Sequence, residues 1–270
     1  LVGSEMCIRD SSRSVNPTRK ALEACIADLE GSTHGYAFAS GMAASATVLE
    51  LLSSGDHVIA MDDLYGGTYR LFENVRKRSA VLEFTFCDLS DLKTLEDSIN
   101  EKTKMIWIET PTNPLLKIAD LEAIANFAKK HNLISVCDNT FCSPFVQNPL
   151  EFGFDIVVHS ATKYLNGHSD LIGGVVVCSE EKNELAKEIL YLQNAVGSIM
   201  NPFDSFLLLR SLKTLPVRME RHCSNAQQIA SYLDSHSSIE KVIYPGLESH
   251  PQHHICLLYT SDAADEGLGV

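Results

Sequence analysis

Residues 155–178 read "DIVVHSATKYLNGHSDLIGGVVVC", two apolar runs joined by a polar loop that carries Lys163 between hydroxyl residues. The runs "DIVVHS" (155–160) and "GGVVVC" (173–178) are apolar on both faces. That pattern fits strands covered by helices on both sides of a sheet. A lysine seen alone in such a loop is ordinarily solvated, so its meaning depends on what the neighbouring strands end in. Four more strand-like runs precede it: "HVIAM" (57–61), "VLEFTF" (81–86), "MIWIE" (105–109) and "LISVCD" (133–138). Helical patterns lie between most of them. "TRKALEACIADLEG" places Leu22, Cys25, Ile26 and Leu29 on one face and stops at Gly31, while "DLEAIANFAKKHN" aligns Leu121, Ile124 and Phe127 and ends in basic residues. Strands alternating with helices predict an α/β fold built on a mostly parallel, doubly wound sheet. Residues 202–236 read as a long helix broken or kinked near Pro216, and "KVIYPG" (241–246) as the first strand and turn of a smaller domain.

Composition narrows the function classes. Hydrophobic residues make up 45% and charged residues 21%, ordinary for a globular protein. The chain has 35 acidic and 22 basic residues, a formal charge of −13, with no basic run. That balance argues against nucleic acid and anionic membranes as partners. No apolar run is long enough to span a bilayer, and no signal-peptide pattern opens the chain. The eight cysteines are scattered, several inside apolar runs, and none forms C-x-x-C. They read as small hydrophobes of a reduced, cytoplasmic protein rather than zinc ligands. His253 and His254 follow a proline in a polar stretch and are expected to face solvent. The end segments "LVGSEMCIRDS" and "CLLYTSDAADEGLGV" have no structural period and resemble translated adapter sequence. Residues 1–11 and 256–270 are therefore expected to be non-native tails on a native chain that is longer at both ends. That leaves residues 12–215 as a large domain with an N-terminal arm, and 216–255 as the start of a truncated C-terminal domain.

In open α/β sheets, ligands bind beyond the carboxyl ends of the strands. Here those ends are Glu109, Asp138 and Ser160, the last followed by Thr162 and Lys163. A strand-end aspartate alone is more often a turn former or helix cap; two acids, a lysine and two hydroxyls converging on one crevice are a candidate site. A lysine in a mostly apolar crevice can form a Schiff base with an aldehyde. A carboxylate facing a pyridine nitrogen keeps that nitrogen protonated, so the ring can accept electrons. Both are what pyridoxal 5'-phosphate requires of a protein. "ASGMAA" (39–44) adds a Ser-Gly turn opening a helix, whose first N–H groups favour a phosphate. Neither G-x-G-x-x-G nor G-x-x-x-x-G-K-[ST] occurs at the right place, which weakens dinucleotide and P-loop readings.

The segments "SRSVNPTR", "SGMAA", "DDLYGGT", "ETPTNP", "VCDNTF" and "SATKYLNGHSD", in that order, resemble the Cys/Met-metabolism family of pyridoxal-phosphate enzymes over residues 12–255. The resemblance implies the fold type I of pyridoxal-phosphate transferases, a seven-stranded sheet with helices on both faces. It also implies roles. Lys163 would carry the cofactor as a Schiff base and move protons between substrate carbons. Asp138 would pair with the pyridinium nitrogen, Tyr65 would stack on the ring and act in acid–base steps, and Asn113 would lie by the ring hydroxyl. Gly41 and Met42 N–H groups, with the Ser160 and Thr162 hydroxyls, would hold the phosphate. Arg13 would reach the phosphate of a neighbouring subunit in a homotetramer built as a dimer of dimers, and Glu109 would support these contacts from behind. No metal is implied.

Two departures from the family pattern bear on activity. Ser11 stands where the family has a tyrosine two residues before the arm arginine, and the family's carboxylate-binding arginine belongs to a C-terminal region this chain lacks. Low or no turnover is expected of this chain as it stands. Its reaction would be γ-elimination or γ-replacement on a sulfur amino acid. "LQNAVGS", "RMERHCSNA" and "YPGLESHPQH" look most like the cystathionine γ-lyase and γ-synthase branch. Gly67 stands where methionine γ-lyases usually carry cysteine. Methionine γ-lyase, cystathionine β-lyase and O-acetylhomoserine sulfhydrylase are alternatives. A non-catalytic oligomeric scaffold is the alternative outside enzymes, though a scaffold has no need of both Lys163 and Asp138.

Overall fold

A computed structural model describes residues 12–256. The expected tails, with Ser11, therefore fall outside the described residues, save Cys256. Seven strands form one sheet: β1 (His34–Phe38), β2 (His57–Met61), β3 (Glu83–Cys87), β4 (Thr103–Glu109), β5 (Ile134–Asp138), β6 (Ile156–His159) and β7 (Gly174–Cys178), in the order β1-β7-β6-β5-β4-β2-β3. Strands β2 to β6 pair in parallel; β7 runs antiparallel to both β6 and β1. The expected mostly parallel, helix-covered sheet is present. Strand β1 did not stand out in the sequence. "HGYAF" is short and opens with histidine and glycine, and only its last three residues are buried.

The helices are α1 (Pro17–Leu29), α2 (Gly41–Leu49), α3 (Gly66–Arg70, running on through a π-helical stretch at Leu71–Arg76), α4 (Leu92–Ser98), α5 (Leu121–Lys130), α6 (Ser143–Val146), α7 (Asn183–Val196), α8 (Pro202–Leu212) and α9 (Leu215–Asp234). Local chemistry sets their ends. Asn16 caps α1 by accepting from the N–H groups of Thr18 and Arg19, with Pro17 in the first turn, where its missing N–H is not needed. The α1 helix stops at Glu30, and Gly31 follows with φ +77°. Asp120 caps α5 through the N–H of Ala123, and Lys129 and Lys130 lie in its last turn. The long C-terminal helix breaks at Lys213–Thr214, so that Pro216 falls in the first turn of α9.

Buried side chains cover both faces of the sheet. On one, Val58, Met105, Val136, Ile156 and Val158 pack with Trp107 and Phe72, whose rings meet edge-on at 5.2 Å. On the other, Leu22 and Ile26 of α1 pack on Val157, Val175 and Val177 with Leu208 and Met219. One expectation fails: residues 241–244 form no strand. An extended run needs a neighbour for its ladder, and among the described residues none of the seven strands pairs with this one. Among the described residues no helix is long and apolar enough to cross a membrane, and no cluster of three or more His, Cys, Asp or Glu side chains could hold a metal ion. His254 is exposed and His253 half-buried, its Nδ1 2.8 Å from Pro245 O.

Candidate active site

The carboxyl ends of β4, β5 and β6 and the start of α2 enclose a cavity of about 270 Å3. It gathers Gly41, Met42, Tyr65, Glu109, Asn113, Asp138, Ser160, Thr162 and Lys163, together with Ser40, Thr140 and Phe141. Parallel pairing aligns Glu109 with Asp138 and Asp138 with Val158, so both acids reach the same edge.

At one end of the cavity, α2 begins. Ser40 caps it by accepting from the N–H of Ala43 at 3.0 Å, a bond that does not use the N–H groups of Gly41 and Met42. Those two lie at the positive end of the helix dipole. A Cβ on Gly41 would sit 2.8 Å from Ser160 Cβ, so only glycine lets the helix start approach β6 this closely. The Ser160 hydroxyl makes no hydrogen bond with the described residues, whereas that of Thr162 donates to Gly173 O at 3.3 Å and accepts from Gly173 N at 3.1 Å. Of the two expected phosphate hydroxyls, Ser160 is the uncommitted one.

In the middle stand the acids. Asp138 Oδ1 accepts from the Thr140 hydroxyl at 2.5 Å and the Thr140 N–H at 3.1 Å, and Thr140 Oγ1 accepts in turn from Ser160 N at 2.8 Å. The other Asp138 oxygen accepts nothing from the described residues. Burial raises the Asp138 pKa, while the Thr140 bonds and the charge of His159 oppose the rise. Glu109 holds two loops with one carboxylate: Oε2 accepts from Tyr65 N and Oε1 from Asn113 N, both at 2.9 Å. Burial, then the charge of Asp138, push its pKa up.

Lys163 follows on the loop after β6. Its Nζ has no hydrogen-bond or ion-pair partner among the described residues, and the side chain is exposed. The crevice expected to enclose it is thus open on the lysine's side. The loop itself is fixed from below. Arg218 of α9 donates to Tyr164 O at 2.7 Å, Leu165 O at 3.3 Å and Ser211 O at 3.2 Å. Tyr65 is 46% exposed at the start of α3, its ring over Gly67, where a Cβ would come within 2.4 Å of Cε1. Arg13 lies away from the cavity, donating to Asn194 O at 2.7 Å, on an arm held by Arg19, which bonds Ser12 O and Arg13 O.

Sequence reading missed Ser40, Thr140 and Phe141. For the first two a signal was available: serine just before a helix is a cap, and threonine two residues after aspartate is a local turn pattern. An unpaired amine, a carboxylate oxygen without a donor and an anion-favouring helix start share one cavity. These are the complements of an aldehyde, a protonated ring nitrogen and a phosphate, so the residues fit pyridoxal 5'-phosphate.

Fold and site together define a pyridoxal-phosphate enzyme on a doubly wound sheet. The comparisons narrow the class. The model of the Cys/Met metabolism PLP-dependent enzyme family matches residues 5–265, and the chain belongs to that family. It is 63% identical over 244 residues to the cystathionine beta-lyase of Coxiella burnetii, covering 90% of this chain and 63% of that protein. It is 53% identical over 247 residues to the cystathionine gamma-lyase of Dictyostelium discoideum, covering 92% and 63%. The solved structure of cystathionine gamma-lyase from Lactobacillus plantarum complexed with L-serine superposes with a TM-score of 0.90 at 51% identity, covering 92% of this chain and 64% of that one. The chain thus spans just under two thirds of the length of these relatives.

Proposed function

We propose that the protein is a pyridoxal-phosphate-dependent transsulfuration enzyme that breaks or makes the carbon–sulfur bond of cystathionine, of the γ-lyase or γ-synthase type. The observation that carries this reading is the unpaired Lys163 amine sharing a cavity with the Asp138 carboxylate and the start of α2. When bound, the cofactor supplies an electron sink for the substrate's α-carbon. Lys163 Nζ would hold the cofactor at its aldehyde and would move protons at the substrate carbons. Asp138 would hold the ring-nitrogen proton. The N–H groups of Gly41 and Met42 and the Ser160 hydroxyl would orient the phosphate, with Thr162 beside them. Tyr65 would face the ring and take part in proton transfer, Asn113 would lie by the ring hydroxyl, and Glu109 fixes the backbone of both residues.

β-Lyase activity is a second reading, favoured by the 63% identity to the Coxiella burnetii protein. Product analysis separates them. Cystathionine alone yields cysteine and 2-oxobutyrate if the γ-carbon–sulfur bond breaks, and homocysteine and pyruvate if the β-carbon–sulfur bond breaks. Cysteine with an acylated homoserine yields cystathionine if the enzyme is a γ-synthase. The γ reading fails if pyruvate is the sole keto acid and no cystathionine forms.

The large domain would end near residue 215, with α9 leading into a smaller one. Assembly as a homotetramer, with Arg13 reaching a neighbouring site, is supported by exposed apolar side chains on α7 and α8, among them Tyr191, Phe203 and Phe206. Cytoplasmic location is supported by the free thiols of Cys25, Cys87, Cys137, Cys142, Cys178 and Cys223.

A further inference from the structure

Three strands end at the site, and each sends one residue into the cavity and an adjacent one to the opposite face of the sheet. Behind Glu109, Asp138 and Ser160 stand Thr110, Asn139 and His159, all fully or nearly fully buried. They belong to one polar layer. Glu30, at the end of α1, accepts through Oε1 from His159 Nε2 at 2.5 Å and Asn139 Nδ2 at 3.1 Å. Asn139 Nδ2 also donates to Gln147 O at 2.7 Å, and Gln147 Nε2 donates to Asn139 Oδ1 at 3.0 Å and Thr110 O at 3.4 Å.

Stability does not account for this layer. The Glu30 and His159 side chains are both 0% exposed. A polar pair buried so deeply is commonly no better for stability than apolar residues of the same size. Glu30 Oε2 and His159 Nδ1 also lack hydrogen-bond partners among the described residues, which adds a cost. Features that oppose stability gather where function needs them, and this one lies directly behind the cofactor site.

We propose that Glu30 is a positioning residue which, through His159 and Asn139, fixes Asp138 and Ser160 in the orientation the cofactor requires. The inference rests on the cofactor reading above. His159 is also among the groups that oppose the rise burial imposes on the Asp138 pKa, and Glu30 Oε1 is the acceptor that fixes the His159 ring. Asn139 and His159 are each joined to a cavity residue by a single peptide bond, so a shift in either is carried straight to Asp138 or Ser160.

The test uses the purified chain, stripped of cofactor and titrated with pyridoxal 5'-phosphate, following the visible absorbance and the quenching of Trp107. Glu30→Gln keeps the size and one acceptor but removes the charge; His159→Gln removes the partner. Each is expected to weaken cofactor binding by about tenfold and to alter the visible spectrum of the bound form, with the apo-protein melting temperature within a few degrees of wild type. The double variant is expected to be no worse than His159→Gln alone, since both act through one contact. Wild-type affinity and spectrum in both variants overturn the inference, as does a lower melting temperature with unchanged affinity. Failure of both variants to fold also overturns it, the pair then serving the fold rather than the site. If wild type itself takes no cofactor, the functional reading falls as well; if wild type binds and the variants bind equally, only this inference falls.

Discussion

Glu109 gathers two backbone N–H groups into one carboxylate, yet burial and the adjacent Asp138 raise its pKa. The consequence for stability has a definite sign. Above the ordinary carboxylate value of 4.5, the folded apo-protein holds this proton and the unfolded chain does not. The stabilising contribution is therefore full at acid pH and is lost as pH rises through the raised value. We expect the urea midpoint of Glu109→Gln to change less than that of wild type between about pH 5 and pH 8; an equal change in both places the titration elsewhere. Glu109, Asp138 and Lys163 were legible in the sequence because they follow apolar runs whose ends the period marks. Glu30 was not. Its partner His159 lies 129 residues away, and nothing local in "DLEG" distinguishes a helix-end glutamate that turns inward from one that faces solvent.

At the scale of elements, the lysine loop is shaped by what lies beneath it. Gly167 has φ +70°, and a Cβ there would fall 2.0 Å from Arg218 Nη1. Alanine at this position pays for the left-handed backbone, about 1–2 kcal/mol, and displaces the guanidinium that ties the loop carbonyls to α9. Gly167→Ala is expected to lower stability by about 2–4 kcal/mol and to slow attachment of cofactor at Lys163. A denaturant midpoint and an attachment rate both equal to wild type contradict this view of the loop. The six strands legible in the sequence are the ones buried on both faces or bounded by turn residues. The seventh, β1, escaped because its membership depends on antiparallel pairing with β7, a long-range contact that short-range period does not encode. The run at 241–244 erred in the opposite direction, with strand-like residues but no neighbour to pair with.

For the whole molecule, the doubly wound plan was legible from the alternation of elements, whereas the surfaces that make an oligomer were not. Residues outside the core leave no periodic signal that separates an interface from solvent. Phe203 is 67% and Phe206 53% exposed on α8, and a tetramer would cover such side chains. Replacing both with glutamate is expected to convert an associated wild type to monomer in light scattering, whereas an unchanged mass would place the interface elsewhere. The central claim is that one amine, Lys163, carries the cofactor. Borohydride reduction of the protein after incubation with pyridoxal 5'-phosphate, followed by peptide mass spectrometry, tests it most directly. The account predicts a single pyridoxyl adduct on the peptide containing Lys163, lost in Lys163→Ala. An adduct on another lysine, or none at all, would contradict it.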